Sequence, residues 1–259
     1  MVLQINSKLE DVKLNRPILI EGLPGIGNVG KIAVDFIVDN LKARKIMEIF
    51  SYGFPHAVFV NDNNLVELPT IEIFHKKLNG NDILLLAGDI QPIDEASCYE
   101  FCDAIIDLFK KYNGTEIITL GGIGLPNEPD RPKVFCTANS KKIIEKYKSK
   151  NISNEIYGVV GPIIGVTGVL VGLAGKKNVP AIAFLAETYG HPNYIGIKGA
   201  REILKLLNEK INLKLNFKDL DREVGEIEKE MKTKIKQVER VMKKTISEEK
   251  RPSKTNYIG

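Results

Sequence analysis

The chain has 259 residues, 43% hydrophobic and 27% charged, with a formal net charge of +4. This is globular composition and excludes global disorder. So small a charge, with Lys and Arg mixed among Asp and Glu, argues against a nucleic-acid partner. Three cysteines, Cys98, Cys102 and Cys136, make no disulfide framework and fit a reducing cytoplasm.

Residues 1–17 are charged and lack the apolar core of a signal peptide. Pro17–Glu21 is a short apolar run ending at Gly22 and reads as a buried strand. A glycine turn follows. Lys31–Leu41 carries apolar residues at helical spacing, and Lys45–Phe50 reads as a second strand. Three β-rich stretches, Ala57–Val60, Leu65–Leu68 and Thr70–Phe74, are separated by Asn-Asp-Asn-Asn and by proline, the pattern of a small antiparallel hairpin or meander.

Ile83–Ala87 is a third core strand. Asp94–Tyr112 is an amphipathic helix that places Cys98 and Cys102 one turn apart. Two sulfurs alone do not close a zinc site, and buried packing is their expected role. Glu116–Leu120 is a fourth strand, ended by Gly121-Gly122-Ile123-Gly124. Residues 126–132 form a loop, Val134–Thr137 a strand and Lys141–Lys148 a short helix. The apolar run 159–174 is interrupted by Gly161, Pro162, Gly165, Gly168 and Gly172. It is too short and glycine-rich for a membrane span, and it reads as the end of a strand at Ile156–Val160 and a helix at Val166–Gly175. Ala181–Leu185 is the last core strand, and Lys198–Ile211 another amphipathic helix.

Strands alternating with helices predict an α/β fold: a three-layer, mixed, mostly parallel sheet flanked by helices. The antiparallel insertion after the second strand makes the sheet mixed. Composition changes near Leu215, which divides the chain into an α/β core (1–215), a long charged C-terminal helix (216–251) and a tail (252–259). On the helix, Leu220, Val224, Ile227, Met231, Ile235, Val238, Met242 and Ile246 form a narrow seam recurring every ~3.7 residues, near an eleven-residue repeat. Such a stripe either lies solvated against its own domain or pairs with another subunit, and Ile227, Met231 and Val238 are the positions a coiled-coil contact would use. Pro252 stops the helix.

Two clusters invite chemistry. Gly25-Ile26-Gly27-Asn28-Val29-Gly30 matches the G-x-G-x-x-G turn that places a pyrophosphate at a helix N-terminus. The acidic residue such a site needs would be Glu48, which stands inside the run KIMEIFS rather than at a strand end. The same glycines serve equally to turn the chain and to pack a helix on a sheet. Both readings stay open: cofactor binding at Gly25, Gly27, Gly30 and Glu48, or no cofactor. Glu187, Tyr189 and His191 follow the last core strand and form either an acid–base cluster or the hydrogen bonds of a tight loop before Pro192. No catalytic serine turn, paired carboxylates or metal-ligand spacing is present.

Leu23-Pro-Gly-Ile-Gly-Asn-Val-Gly30, Gly88-Asp-Ile-Gln-Pro92, Leu120-Gly-Gly-Ile-Gly124, Gly161-Pro-Ile-Ile-Gly165 and the segment from His191 to Leu204 occur in an order that resembles the archaeal proteasome assembly chaperone family, over about residues 10–212. The resemblance implies a phosphorylase-like fold, homo-oligomerisation, no catalytic residues, no cofactor and proteasome α subunits as partners. It also implies docking by a C-terminal tail with a penultimate tyrosine. Here the end is Tyr257-Ile258-Gly259, with tyrosine third from last, so these residues are the partner-binding candidates in a register shifted by one.

Overall fold

The computed structural model describes residues 3–7, 13–78, 80–153, 161–218, 220–222 and 225. The strand expected at Ile156–Val160 and the seam residues Ile227, Met231 and Val238 lie outside these residues, as does the tail Tyr257-Ile258-Gly259. The chain divides into two compact units, Met1–Leu215 and Asn216–Gly259.

The first unit is built on ten strands and five helices among its described residues. In chain order these are β1 (Leu3–Ser7), β2 (Ile18–Gly22), α1 (Val29–Leu41), β3 (Arg44–Ser51), β4 (Phe59–Val60), β5 (Val66–Glu67), β6 (Ile71–Lys77), β7 (Asp82–Gly88), α2 (Glu95–Lys111), β8 (Glu116–Leu125), β9 (Val134–Ala138), α3 (Lys141–Tyr147), α4 (Val166–Lys176), β10 (Ala181–Tyr189) and α5 (Ile197–Ile211). Eight strands form one sheet in the order β1-β3-β6-β7-β2-β8-β10-β9, and β4 and β5 form a separate hairpin. The centre, β7-β2-β8-β10, is parallel. Its flanks, β1-β3-β6 against β7 and β9 against β10, are antiparallel.

The parallel strands are continuously apolar because both faces are covered. Ile18-Leu-Ile-Glu-Gly22 is buried at every position. Period-two alternation sends Leu19, Leu84, Leu86 and Ile117 into one core with Phe101, Ile105 and Phe109 of α2 and Leu170 and Ala174 of α4. On the opposite face α1 and α5 pack together, burying Ile37 and Leu204 among others. Helix α2 begins where Asp94 caps it, its Oδ1 accepting from the Ser97 N–H at 2.9 Å, and ends on Lys110 and Lys111, which complement the C-terminal dipole. Cys98 and Cys102 are buried in this core.

The element order agrees with the sequence reading, with three differences. β1 is an added edge strand, paired Leu3↔Ser51 through Ser7↔Met47. β8 does not end at Leu120 but runs through Gly121, Gly122, Ile123 and Gly124 to Leu125, because parallel pairing with β10 continues to Tyr189↔Leu125. For the same reason Glu187 and Tyr189 lie inside β10 rather than after it.

Candidate functional site

The carboxyl ends of β2, β8 and β10 open on a cavity of about 780 Å³. Parallel α/β sheets place ligands in this position. Its walls are the glycine turn after β2 (Gly25, Ile26, Gly27), the glycine run of β8, Phe135–Thr137 of β9 and the segment Gly161–Ile164 before α4. Gln91, Thr167, Glu187 and His191 supply polar groups. Neither Lys nor Arg stands among the described lining residues.

Backbone contacts explain most of the glycines. A Cβ on Gly30 would lie 2.2 Å from the Leu120 carbonyl oxygen, one on Gly122 2.2 Å from that of Ile26, and one on Gly22 2.2 Å from that of Gly30. Helix α1 therefore sits directly on β2 and β8. Gly27 has φ +62°, and a Cβ there would come within 2.6 Å of Thr188 Oγ1. Gly25 differs: its backbone is extended and a Cβ would meet nothing within 4 Å.

Glu21 is wholly buried beside the cavity. Its Oε1 accepts from the Leu23 N–H at 3.0 Å, and Oε2 lies 3.3 Å from the Thr167 hydroxyl. Burial pushes its carboxyl up from the ordinary 4.5 to about 8, against the lowering effect of these hydrogen bonds. At neutral pH the group is mostly protonated and adds little charge. Gln91 spans the rim, donating to the Pro24 carbonyl at 2.8 Å and accepting from the Val166 N–H at 3.3 Å.

The structure separates the residues proposed for a dinucleotide. Gly25, Gly27 and Gly30 stand together at the cavity, but Glu48 is on β3, which β6 and β7 separate from β2. In a dinucleotide fold the strand after the first helix returns beside the first strand, in parallel. Here β2 is flanked by β7 and β8, and Glu48 pairs with Lys45 at 3.3 Å. Of the second cluster, Glu187 and His191 both line the cavity, and Tyr189 stacks on His191 with ring centroids 5.6 Å apart. Glu187 is committed to the fold: its Oε2 accepts from the Lys133 N–H at 2.9 Å and its own N–H donates to the Lys133 carbonyl at 3.0 Å. His191 Nδ1 accepts from the Asn193 N–H at 3.2 Å, holding the turn that contains Pro192.

Sequence reasoning did not find Glu21, Gln91 or Thr167 as a group. Glu21 was visible only as an acid inside a buried strand, and 146 positions separate it from Thr167. Among the described residues no group of His, Cys, Asp and Glu is arranged for a metal, and no helix is long and apolar enough to cross a membrane.

The fold and sequence have close counterparts. An uncharacterized protein of Methanocaldococcus jannaschii is 30% identical over 262 residues, spanning 100% of this chain and 99% of its own length. The crystal structure of Pyrococcus furiosus PbaB, described as an archaeal proteasome activator, superposes with a TM-score of 0.81 at 29% identity, covering 89% of this chain and 98% of PbaB. Pyrococcus furiosus PbaA, described as an archaeal homolog of proteasome-assembly chaperone, shares the fold with a TM-score of 0.75 at 23% identity, over 94% of this chain and 97% of PbaA. The PAC2 family profile matches residues 19–235, which span most of the α/β core and part of the charged segment beyond Leu215, and the chain belongs to the PAC2 family.

Proposed function

We propose that this protein is a non-catalytic, oligomeric chaperone or adaptor that binds proteasome α subunits in the cytoplasm and assists proteasome assembly. The observation that carries this reading is the likeness to the proteasome activator PbaB across 89% of this chain, within a shared family. The division of labour follows the sequence: a rigid core over 1–215, a charged helix over 216–251 whose Ile227, Met231 and Val238 join subunits, and a tail over 252–259 that docks through Tyr257, Ile258 and the carboxylate of Gly259. Fixing a free tail costs about 1–2 kcal/mol per residue. Single tails therefore bind weakly, and several on one oligomer bind tightly when their spacing matches the ring. Surface resonance on purified α rings tests this with the full chain, Tyr257→Ala and a chain ended after Arg251. Binding by the first alone supports the tail. Equal binding by all three moves recognition to the core, and no binding by any ends the proposal.

The cavity favours a second reading, a small-molecule site using the Gly25–Gly30 turn. Its volume suits a drug-sized ligand. With neither Lys nor Arg among the described lining residues, that ligand would be uncharged rather than a phosphorylated nucleotide.

A further inference from the structure

Strand β8 runs further than its neighbour β2, and the difference opens into the cavity. β2 pairs with β8 only as far as Glu21↔Thr119, whereas β10 pairs with it as far as Tyr189↔Leu125. Along a strand the N–H and C=O of one residue point to one side, and those of the next residue to the other. Two hydrogen bonds fix the phase. The Ile117 N–H donates to the Pro180 carbonyl, just before β10, at 2.9 Å, and the Leu125 carbonyl accepts from the Gly190 N–H, just after it, at 2.9 Å. Odd-numbered residues of β8 therefore turn their backbone groups to β10, while Gly122 and Gly124 turn theirs to the side beyond the end of β2. Among the described residues neither glycine forms a hydrogen bond on that side. Both line the cavity, Gly122 half-buried and Gly124 exposed.

Two N–H groups and two carbonyls thus stand in one row, a donor and an acceptor every about 6.6 Å. This is the repeat of a second extended chain, and backbone groups so placed demand hydrogen-bond partners. Glycine at both positions leaves a partner backbone unobstructed. The surroundings are apolar. Gly121, Leu185 and Phe135 are in register across β8, β10 and β9, so Leu185 and Phe135 share one face beside the edge, and both line the cavity. Two further lining residues, Ile26 and Ile164, are 52% and 84% exposed. An acidic ligand finds neither Lys nor Arg among the described lining residues. A basic one finds little more, because Glu187 is engaged by the Lys133 N–H and Glu21 is mostly protonated.

We propose that the cavity receives a short, extended, apolar and uncharged segment of polypeptide, which pairs with the open edge of β8 at Gly122 and Gly124. In such strand addition the main-chain hydrogen bonds supply affinity, and pockets for alternate side chains supply selectivity. The inference rests on the cavity being a binding site, and names the class of its ligand. It is independent of the C-terminal tail and of α subunits.

Titration calorimetry of the full chain tests this with a blocked peptide, acetyl-Ala-Leu-Ala-Leu-Ala-amide, and two derivatives, N-methylated at the leucines or at the alanines. The parent should bind with a Kd below ~1 mM, and the derivative whose methyl groups face β8 at least about tenfold more weakly, having lost two hydrogen bonds. Gly124→Pro removes an N–H that β10 does not use. Gly124→Ala keeps that N–H and adds the same Cβ, which meets Gly190 Cα and Ile26 Cγ2 at 3.3 Å. The proline variant should bind the parent peptide about fivefold or more weakly than the alanine variant. Hydrogen exchange on the wild type needs no variant, and decides the matter if Gly124→Pro does not fold: the Gly122 and Gly124 amides should slow when peptide is added. Equal binding of all three peptides, or exchange at these amides that ignores the peptide, overturns the pairing and leaves the cavity as a site for an uncharged small molecule. No binding of any peptide also overturns the inference, and the cavity reading falls with it only if acetyl-leucine methylamide fails to bind as well.

Discussion

Tyr147, the last residue of α3, donates its phenolic hydroxyl to the carboxylate of Glu116, the first residue of β8. Both groups are buried. Lys146 reaches the other carboxylate oxygen at 2.6 Å, so the acid is held from two sides. Burial, followed by the Glu116 charge, pushes the phenol above its ordinary range and keeps it a donor throughout the working pH range. The contact fastens a short helix to the sheet where α3 buries few side chains of its own.

Tyr147→Phe should therefore destabilise the protein by about 1.5–3 kcal/mol, the worth of a hydrogen bond to a charged group. The lower end is expected, because Lys146 remains and the ring keeps its edge contact with Phe184 at 5.4 Å. Urea unfolding followed by circular dichroism measures it. A shift below about 0.5 kcal/mol would mean that the hydroxyl finds water as readily as Glu116.

Glu21 gives a pH dependence of unusual sign. Its carboxyl titrates at about 8 in the folded chain and near 4.5 when unfolded, so between those values the folded state holds a proton that the unfolded state has released. This contribution to stability is complete below 4.5, declines as pH rises, and is lost once pH passes about 8. The steepest decline is about 1.4 kcal/mol per pH unit. Glu21→Gln keeps an acceptor for the Leu23 N–H without the titration. It should flatten the stability profile between pH 5 and 8, as ~5 and ~8 bracket the shift, and be more stable than wild type at high pH. Parallel profiles for the two proteins would show that Glu21 titrates normally.

Gly25 and Gly30 belong to the same motif but should respond oppositely. Gly30→Ala drives a methyl against the Leu120 carbonyl, which is backbone and cannot step aside. A loss of about 1–3 kcal/mol is expected. Gly25→Ala meets open space and should stay within about 0.5 kcal/mol of wild type. Titration calorimetry of the wild type with NAD, NADP and ATP should give no heat of binding. Micromolar binding of any of them would restore the motif to its cofactor reading despite the distant Glu48.

The helix proposed over 216–251 has its own test. Replacing Ile227, Met231 and Val238 with Lys puts three charges on one stripe. If that stripe joins subunits, light scattering should show a smaller species while the core melts unchanged. An unaltered mass would return the helix to a solvated or self-packed role.

The parallel centre was legible in the sequence because strands buried on both faces are unbroken apolar runs, as in Ile18-Leu-Ile and Ile83-Leu-Leu-Leu. The ends of those strands were not. Gly121 to Gly124 read as a terminator by composition, yet pairing with β10 carries the strand through them, and Gly122 is needed where the Ile26 carbonyl presses against it. β1, Leu-Gln-Ile-Asn-Ser, is largely exposed and shows little hydrophobic signal; only its pairing with β3 reveals it. The cavity escaped for another reason. Its walls come from segments between Leu23 and Pro192, and no local pattern records their convergence.

The position of β1 bears on how the protein is handled. Hydrogen bonds to Leu3–Ser7 occupy the outer edge of β3, whose Ile46, Met47 and Ile49 are buried. A preparation trimmed by even seven residues would leave those backbone groups open to any passing strand, a recognised route to aggregates. Loss of material after proteolysis near the start of the chain would then reflect the uncovered β3 edge, since β1 is the strand that lies outside β3 in the sheet.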